Sequence, residues 1–187
     1  FFAPVSLSTG LHELQAFQGV VLPGGSSMAA VNGQIRVAEE TLARGQPTLG
    51  LCLGMQSMMT AAVRRSPGFE SAIPAEVAPD EALHSFVPFA DGRHRCGVFP
   101  FSSGLIPGDI REMHYNHRYC FNPELLPALS PGGVSVSAQS DGIVEAVSQP
   151  ELPFWHGVQG HPELMSRPDA PHPLFVAFLQ AALNAPA

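Results

Sequence analysis

The sequence predicts an α/β fold, a three-layer sandwich of flavodoxin-like character whose mostly parallel sheet carries added antiparallel strands. Three observations lead there. Two apolar runs of strand length, residues 17–22 and 47–51, are each followed by a stretch with helical spacing, the alternation that builds a parallel sheet. Later residues hold short strand-like runs divided by turn signals, among them Asp141-Gly142, a pair suited to a two-residue hairpin. The 187 residues are 45% hydrophobic and 13% charged, enough to bury one such core, so residues 1–187 read as a single domain.

In order, residues 17–22 form a strand ending at Pro23-Gly24-Gly25, and 30–44 form an amphipathic helix closed by Gly45. A buried strand at 47–51 leads into a helix at 53–63. Residues 66–91 are a Pro-rich connection with a short strand at 84–89. Strands are predicted at 95–101, 111–119, 134–138, 143–147 and 154–159, and a closing helix at 173–183. No internal repeat or low-complexity segment interrupts this order.

The richest stretch is Gly50-Leu51-Cys52-Leu53-Gly54, a cysteine centred in G-x-C-x-G between a strand and a helix. Flanking glycines let strand and helix approach closely, and the residue on the turn sits at a helix N-terminus, where partial positive charge favours a thiolate. Taken alone, the pattern also suits a buried thiol packing as a small hydrophobe. The second half of the signal is Gly157-Val-Gln-Gly-His161-Pro162-Glu163, where a strand runs into a histidine followed two residues later by a carboxylate. A cysteine nucleophile needs a base, and that base needs an acceptor on its other ring nitrogen; His161 and Glu163 fit the two roles.

On these motifs, together with Leu22-Pro-Gly-Gly25, Leu49 to Gln56, and His117-Arg118-Tyr119 followed by Asn122, the chain resembles the class I (Cys-His-Glu) glutamine amidotransferases. Ser166-Arg-Pro-Asp-Ala-Pro-His-Pro-Leu-Phe175 extends the resemblance toward the glutaminase domain of CTP synthases, and the match runs from about Leu14 to Leu183. The resemblance implies Cys52 as nucleophile, His161 as general acid/base and Glu163 as its orienter. It implies an oxyanion hole from Gly25 and the backbone N–H of Leu53, donors already fixed in the folded state. It further implies a glutamine-binding set of Gln56, Glu76 and Arg118, with Glu76 on the substrate ammonium and Arg118 on its carboxylate. Each of these three has a plainer reading: Gln56 as a helix cap, Glu76 as a solvated loop charge, Arg118 as a surface ion pair. Domains of this family open with a strand and helix ahead of the first strand seen here, so the domain is expected to lack its first strand and helix in the numbered sequence.

Composition excludes several other chemistries. The net charge of −7 argues against a nucleic-acid surface, and all nine basic residues are arginines, which removes Schiff-base and P-loop lysines. Three cysteines cannot make a complete disulfide framework, so a reducing, cytoplasmic setting is expected, with Cys96 and Cys120 as core thiols. No apolar run reaches membrane-spanning length and no signal peptide is evident. His114-x-x-His117 with Cys120 invites a metal site, but a strand puts residues three apart on opposite faces, so no metal is expected. No cofactor is implied, and His12, His84, His94, His156 and His172 read as surface or packing residues.

Departures from the family pattern concern regulation more than hydrolysis. The 187 residues contain no P-loop or synthetase domain, the segment between Glu76 and Arg95 is short, Ser26-Ser27 replace Phe-Gly, and Tyr115-Asn116 replace a more basic pair. The expected function is a stand-alone glutaminase-type amidotransferase that takes glutamine to glutamate and ammonia through a thioester on Cys52. Its expected partners are glutamine or a related amide and a separate synthetase that accepts ammonia, with homo-oligomers left open. Two further readings stand beside it: a hydrolase of another amide or γ-glutamyl conjugate using the same three residues, and a non-catalytic relative that binds a partner.

Overall fold

The computed structural model describes residues 11–25, 30–104 and 106–185. Its central sheet has five strands: β1 (Val20–Leu22), β2 (Thr48–Leu51), β7 (Ser135–Ser140), β8 (Ile143–Ser148) and β9 (Trp155–Val158), in the spatial order β1-β2-β9-β8-β7. β1, β2 and β9 run parallel, and β8 and β7 continue the sheet antiparallel. Two antiparallel ribbons are added, β3 (Phe86–Pro88) with β6 (Tyr119–Phe121), and β4 (Arg95–Pro100) with β5 (Glu112–His117).

Both faces of β2 and β9 are covered, as parallel strands require, while Val21 of β1 is exposed. On one side α1 (Val31–Arg44), α2 (Leu53–Arg64) and the 3-10 helix Pro123–Gly132 build a core of Ile35, Met55, Met58, Met59, Leu129 and Trp155. On the other, α3 (Pro173–Asn184) and the β4–β5 ribbon pack Leu174, Phe178, Met113 and Tyr115 against Leu49, Leu51 and Val158. All four residues of β2 are buried, which accounts for its unbroken apolar run. Gly45 closes α1 in the left-handed conformation, its N–H on the Thr41 carbonyl. Asp141 and Gly142 both have positive φ, 50° and 78°, the backbone a type I′ hairpin turn needs between β7 and β8.

Several sequence expectations need correction. The strand expected at 17–22 is only Val20–Leu22, because Leu11–Ala16 form a 3-10 helix and the Gln46 side chain takes the carbonyls of Leu14 and Phe17. The strand expected at 84–89 shrinks to Phe86–Pro88, and the one at 154–159 to Trp155–Val158. The single strand expected at 111–119 is two strands bent at Arg118, since β5 pairs with β4 while β6 pairs with β3 in a different sheet. No apolar pattern announces the 3-10 helix Pro123–Gly132, which Asn122 caps through its side-chain oxygen and the N–H of Glu124. Cys96 is exposed rather than a core thiol, because β4 alternates and Cys96 falls on its outer face; Cys120 is half-buried. The Ser26-Ser27 departure and the chain ahead of Leu11 lie outside the described residues.

Gly54 is the tightest joint in this framework. A Cβ built there would lie 2.0 Å from the Leu22 carbonyl oxygen, so the first turn of α2 rests directly on the end of β1. Gly54→Ala is expected to destabilise the fold by about 1–3 kcal/mol through overpacking against backbone. Gly104→Ala, where a Cβ meets nothing within 4 Å, is expected to stay within about 0.5 kcal/mol. Urea denaturation of both variants checks the contrast, and equal midpoints would refute it.

Candidate active site

Cys52 stands on the turn between β2 and α2 with φ 48° and ψ −107°; apart from Asp141 it is the only non-glycine residue of positive φ among the described residues. Such a backbone conformation costs on the order of 1–3 kcal/mol and survives only where its surroundings fix it. Here they do. The Cys52 N–H donates to the Val158 carbonyl at 2.8 Å, and the Cys52 carbonyl accepts from the Gln56 N–H at 3.1 Å. The turn therefore lies at the carboxyl ends of β2 and β9, where open α/β sheets place their sites.

His161 follows β9 and is held from the opposite side. Its N–H donates to the His114 carbonyl on β5 at 2.7 Å, an approach that leaves no room for a side chain at Gly160, whose Cβ would fall 2.0 Å from Met113 Cγ. The His161 Nδ1–H donates to Glu163 Oε1 at 2.6 Å, with Glu163 on the 3-10 turn Pro162–Leu164. The hydrogen bond to Cys52, then that to Glu163, raise the imidazole to about 10 against the opposing effect of burial. Burial pushes the Glu163 carboxyl up, but the hydrogen bond from His161 and the nearby positive charge outweigh it and leave the carboxyl below its ordinary value. The ring is thus held at Nδ1 by Glu163 and set beside Cys52.

These groups border a pocket of ≈ 410 Å³ lined by Gly25, Cys52, Leu53, Gln56, Glu76, Arg118 and His161 among others. Seven of the eight residues singled out from the sequence thus share one cavity, and the eighth, Glu163, stands behind His161. Leu53 opens α2, so its N–H is one of the unpaired donors of a helix first turn, beside the sulfur. Gln56 is buried in the same turn, its Nε2 donating to Gln159 Oε1 at 3.3 Å. Arg118 occupies the bend between β5 and β6, its carbonyl accepting from the Phe89 N–H at 3.1 Å. Glu76 sits in the long connection before β3; its edge is exposed, yet partial burial raises its carboxyl. Among the described residues neither Glu76 nor Arg118 has an ion-pair partner.

Other lining residues escape a reading of the sequence. His94, expected as a surface or packing residue, lines the pocket with its Nε2 2.6 Å from Asn116 Oδ1, and Tyr119 lines it as well. His117 is buried, pushed down to about 4 chiefly by burial, and donates Nδ1–H to the Tyr119 carbonyl at 2.8 Å. Gln159 is 1% exposed and reaches Cys52 Sγ with its Nε2 at 3.7 Å. A signal for it exists: Gly157 faces Met55 of α2, and a period of two carries Gln159 to that same side. His114 and His117 lie on opposite faces of β5, and no cluster of three or more potential metal ligands occurs among the described residues. His172, also expected as surface or packing, is buried and caps α3 by accepting from the Leu174 N–H.

No helix among the described residues is long and apolar enough to cross a membrane. The family model for class-I glutamine amidotransferase matches residues 4–181. A CTP synthase of Saccharopolyspora erythraea is 35% identical over 204 residues, covering 95% of this chain and 35% of that protein. A CTP synthase of Clostridium perfringens is 35% identical over 188 residues, covering 91% of this chain and 35% of its own. The chain thus spans about a third of the length of these relatives. Among solved structures, the glutaminase domain of Trypanosoma brucei CTPS with bound acivicin aligns with a TM-score of 0.83 at 25% identity, over 96% of this chain and 76% of that one. A glutamine amidotransferase from Thermotoga maritima shares the fold, with a TM-score of 0.53 at 15% identity, over 91% of this chain and 78% of its own. A family match over nearly the whole chain, joined to 35% identity with these relatives, means that the chain belongs to the class-I glutamine amidotransferases.

Proposed function

We propose that this chain hydrolyses the side-chain amide of glutamine on Cys52 and releases ammonia to a synthetase, as in the CTP synthases it resembles. The observation that carries the reading is His161, bonded to Glu163 and set beside Cys52 on its strained turn, in a pocket whose wall also holds a carboxylate and a guanidinium that have no ion-pair partner among the described residues. Glu76 and Arg118 match the ammonium and carboxylate of a free α-amino acid. Gln56 adds a neutral contact from the first turn of α2.

The Cys52 sulfur attacks the carboxamide carbon, and the developing oxyanion is met by the N–H groups of Leu53 and Gly25. His161 gives its proton to the departing nitrogen, ammonia leaves, and a γ-glutamyl thioester remains. Water, deprotonated by His161, then attacks the thioester, and glutamate leaves as the sulfur is restored. Glu163 fixes which ring nitrogen faces the sulfur and stabilises the charged ring. A hydrolase of another amide would use the same three groups without needing Glu76 and Arg118.

The two readings separate on substrate contacts. Glu76→Ala and Arg118→Ala are each expected to raise KM for glutamine by an amount equivalent to about 1.5–3 kcal/mol, with a smaller change in kcat, because the contacts exist in ground and transition states alike. Steady-state glutaminase assays measure the split. Turnover of an amide lacking the free α-amino acid group, unaffected by both substitutions, would favour the other hydrolase. Labelling gives a second check: a glutamine-like electrophile is expected to modify Cys52 ahead of exposed Cys96 and half-buried Cys120, and an intact-mass and peptide map with either of those labelled first would remove Cys52 as nucleophile.

The third check is the pH profile. Acylation needs the proton on His161, so activity is expected to hold through neutral pH and fall as pH rises through the raised value of about 10. Glu163→Gln removes one of the two interactions that raise the ring, so the alkaline limb is expected to move to lower pH. An unmoved limb in Glu163→Gln would show that the carboxylate does not act on the ring.

A further inference from the structure

Gln159 has no place in the hydrolytic scheme, yet it touches the reacting sulfur. Its side chain is 1% exposed, its Nε2 lies 3.7 Å from Cys52 Sγ, and its Oε1 accepts from Gln56 Nε2 at 3.3 Å. Its backbone is fixed too, the N–H donating to the Glu145 carbonyl at 2.8 Å, and Glu145 itself is 2% exposed and paired with Arg95. A large polar side chain buried this deeply carries a desolvation cost unless its amide is used at both ends. Here both ends are used, one on the nucleophile and one on a residue of the glutamine pocket.

We propose that Gln159 positions the Cys52 sulfur and couples it to Gln56, so that occupation of the glutamine pocket is transmitted to the nucleophile through one amide. The proposal rests on the glutaminase reading for the identity of the pocket's occupant, but its core, the hold on the sulfur, does not. The backbone of Cys52 is rigid, whereas rotation about its Cα–Cβ bond would swing the sulfur away from His161. An N–H donor aimed at the sulfur opposes that rotation, and it interacts more strongly with the anionic sulfur than with the neutral thiol. Gln56, by donating to the amide oxygen, fixes which end of Gln159 faces the sulfur. A glutamine that engages Gln56 therefore acts on the one residue that orients that amide.

The test reads Cys52 itself, in the full chain and without glutamine. Alkylation by iodoacetamide is followed across pH at the Cys52 peptide by mass spectrometry, so that Cys96 and Cys120 do not interfere. In Gln159→Met, of similar volume but without the donor, the rate at neutral pH is expected to fall about tenfold and the midpoint of the profile to move about one unit alkaline. Gln56→Met does not touch the sulfur, yet is expected to slow alkylation in the same direction by roughly threefold, because it releases the amide that does. With glutamine as substrate, Gln159→Met is expected to lower kcat more than it raises KM. Wild-type alkylation profiles in both variants would overturn the proposal while leaving glutaminase activity standing. If Gln159→Met does not fold, the Gln56→Met profile decides. Absence of glutamine turnover by the wild type would instead refute the substrate reading, and the alkylation profiles would still report on the hold.

Discussion

The contact on which the site depends is the approach of the first turn of α2 to the end of β1, with Gly54 against the Leu22 carbonyl. That approach fixes where α2 begins, and α2 begins one residue after Cys52. The chain must then leave β2 and enter the helix without an intervening loop, which forces Cys52 to positive φ. The same geometry brings the helix's free N–H groups beside the sulfur and sets Gln56 one turn along. Strain, free helix N–H groups and a pocket-lining side chain are consequences of one packing distance. The backbone bond from Cys52 to Val158 ties this corner to β9, the strand that delivers His161.

Two histidines that line one pocket are kept in opposite states by their surroundings. His161 has the sulfur on one side and a carboxylate on the other, so its proton is retained through neutral pH. His117 has burial first and the Arg95 charge nearby, which together outweigh the opposing pull of the Tyr119 carbonyl on Nδ1, so it stays neutral. Arg95 is itself held by Glu145 and lies with its guanidinium 3.8 Å from the centre of the Tyr115 ring, all within the seam between the β4–β5 ribbon and the central sheet. Burial first, then Glu145, raise the Tyr115 hydroxyl, so the compensated pair of Arg95 and Glu145 lies against a neutral phenol.

Much of the candidate site was legible in the sequence because it lies in contiguous segments with steep physical requirements. G-x-C-x-G needs small residues where strand and helix meet, Asp141-Gly142 needs two positive φ values, and His161-x-Glu163 is local enough to pair across a single turn. The strand that splits at Arg118 was not legible, because residues 111–119 alternate without interruption and only the choice of partner strands, β4 for one half and β3 for the other, breaks them. Gln159 was missed for a related reason. Its partners are 103 and 107 positions away, so the inward side that a period of two gives it just past β9 does not reveal what it meets there. Pro123–Gly132 was missed because two internal prolines disguise a helical turn that Asn122 caps.

The bond from the His161 N–H to the His114 carbonyl does more than hold one histidine. His114 and Arg118 lie on the same run of chain, four residues apart, roughly 13 Å of extended backbone. One end of that run is latched to the residue beside the sulfur, and the other carries the guanidinium. On the proposed reading, the run is a ruler between the bond that breaks and the carboxylate that is gripped. An amino acid amide one methylene shorter or longer than glutamine would then be told apart without any side chain touching the difference: the measurement is made by the register of a ribbon outside the catalytic sheet.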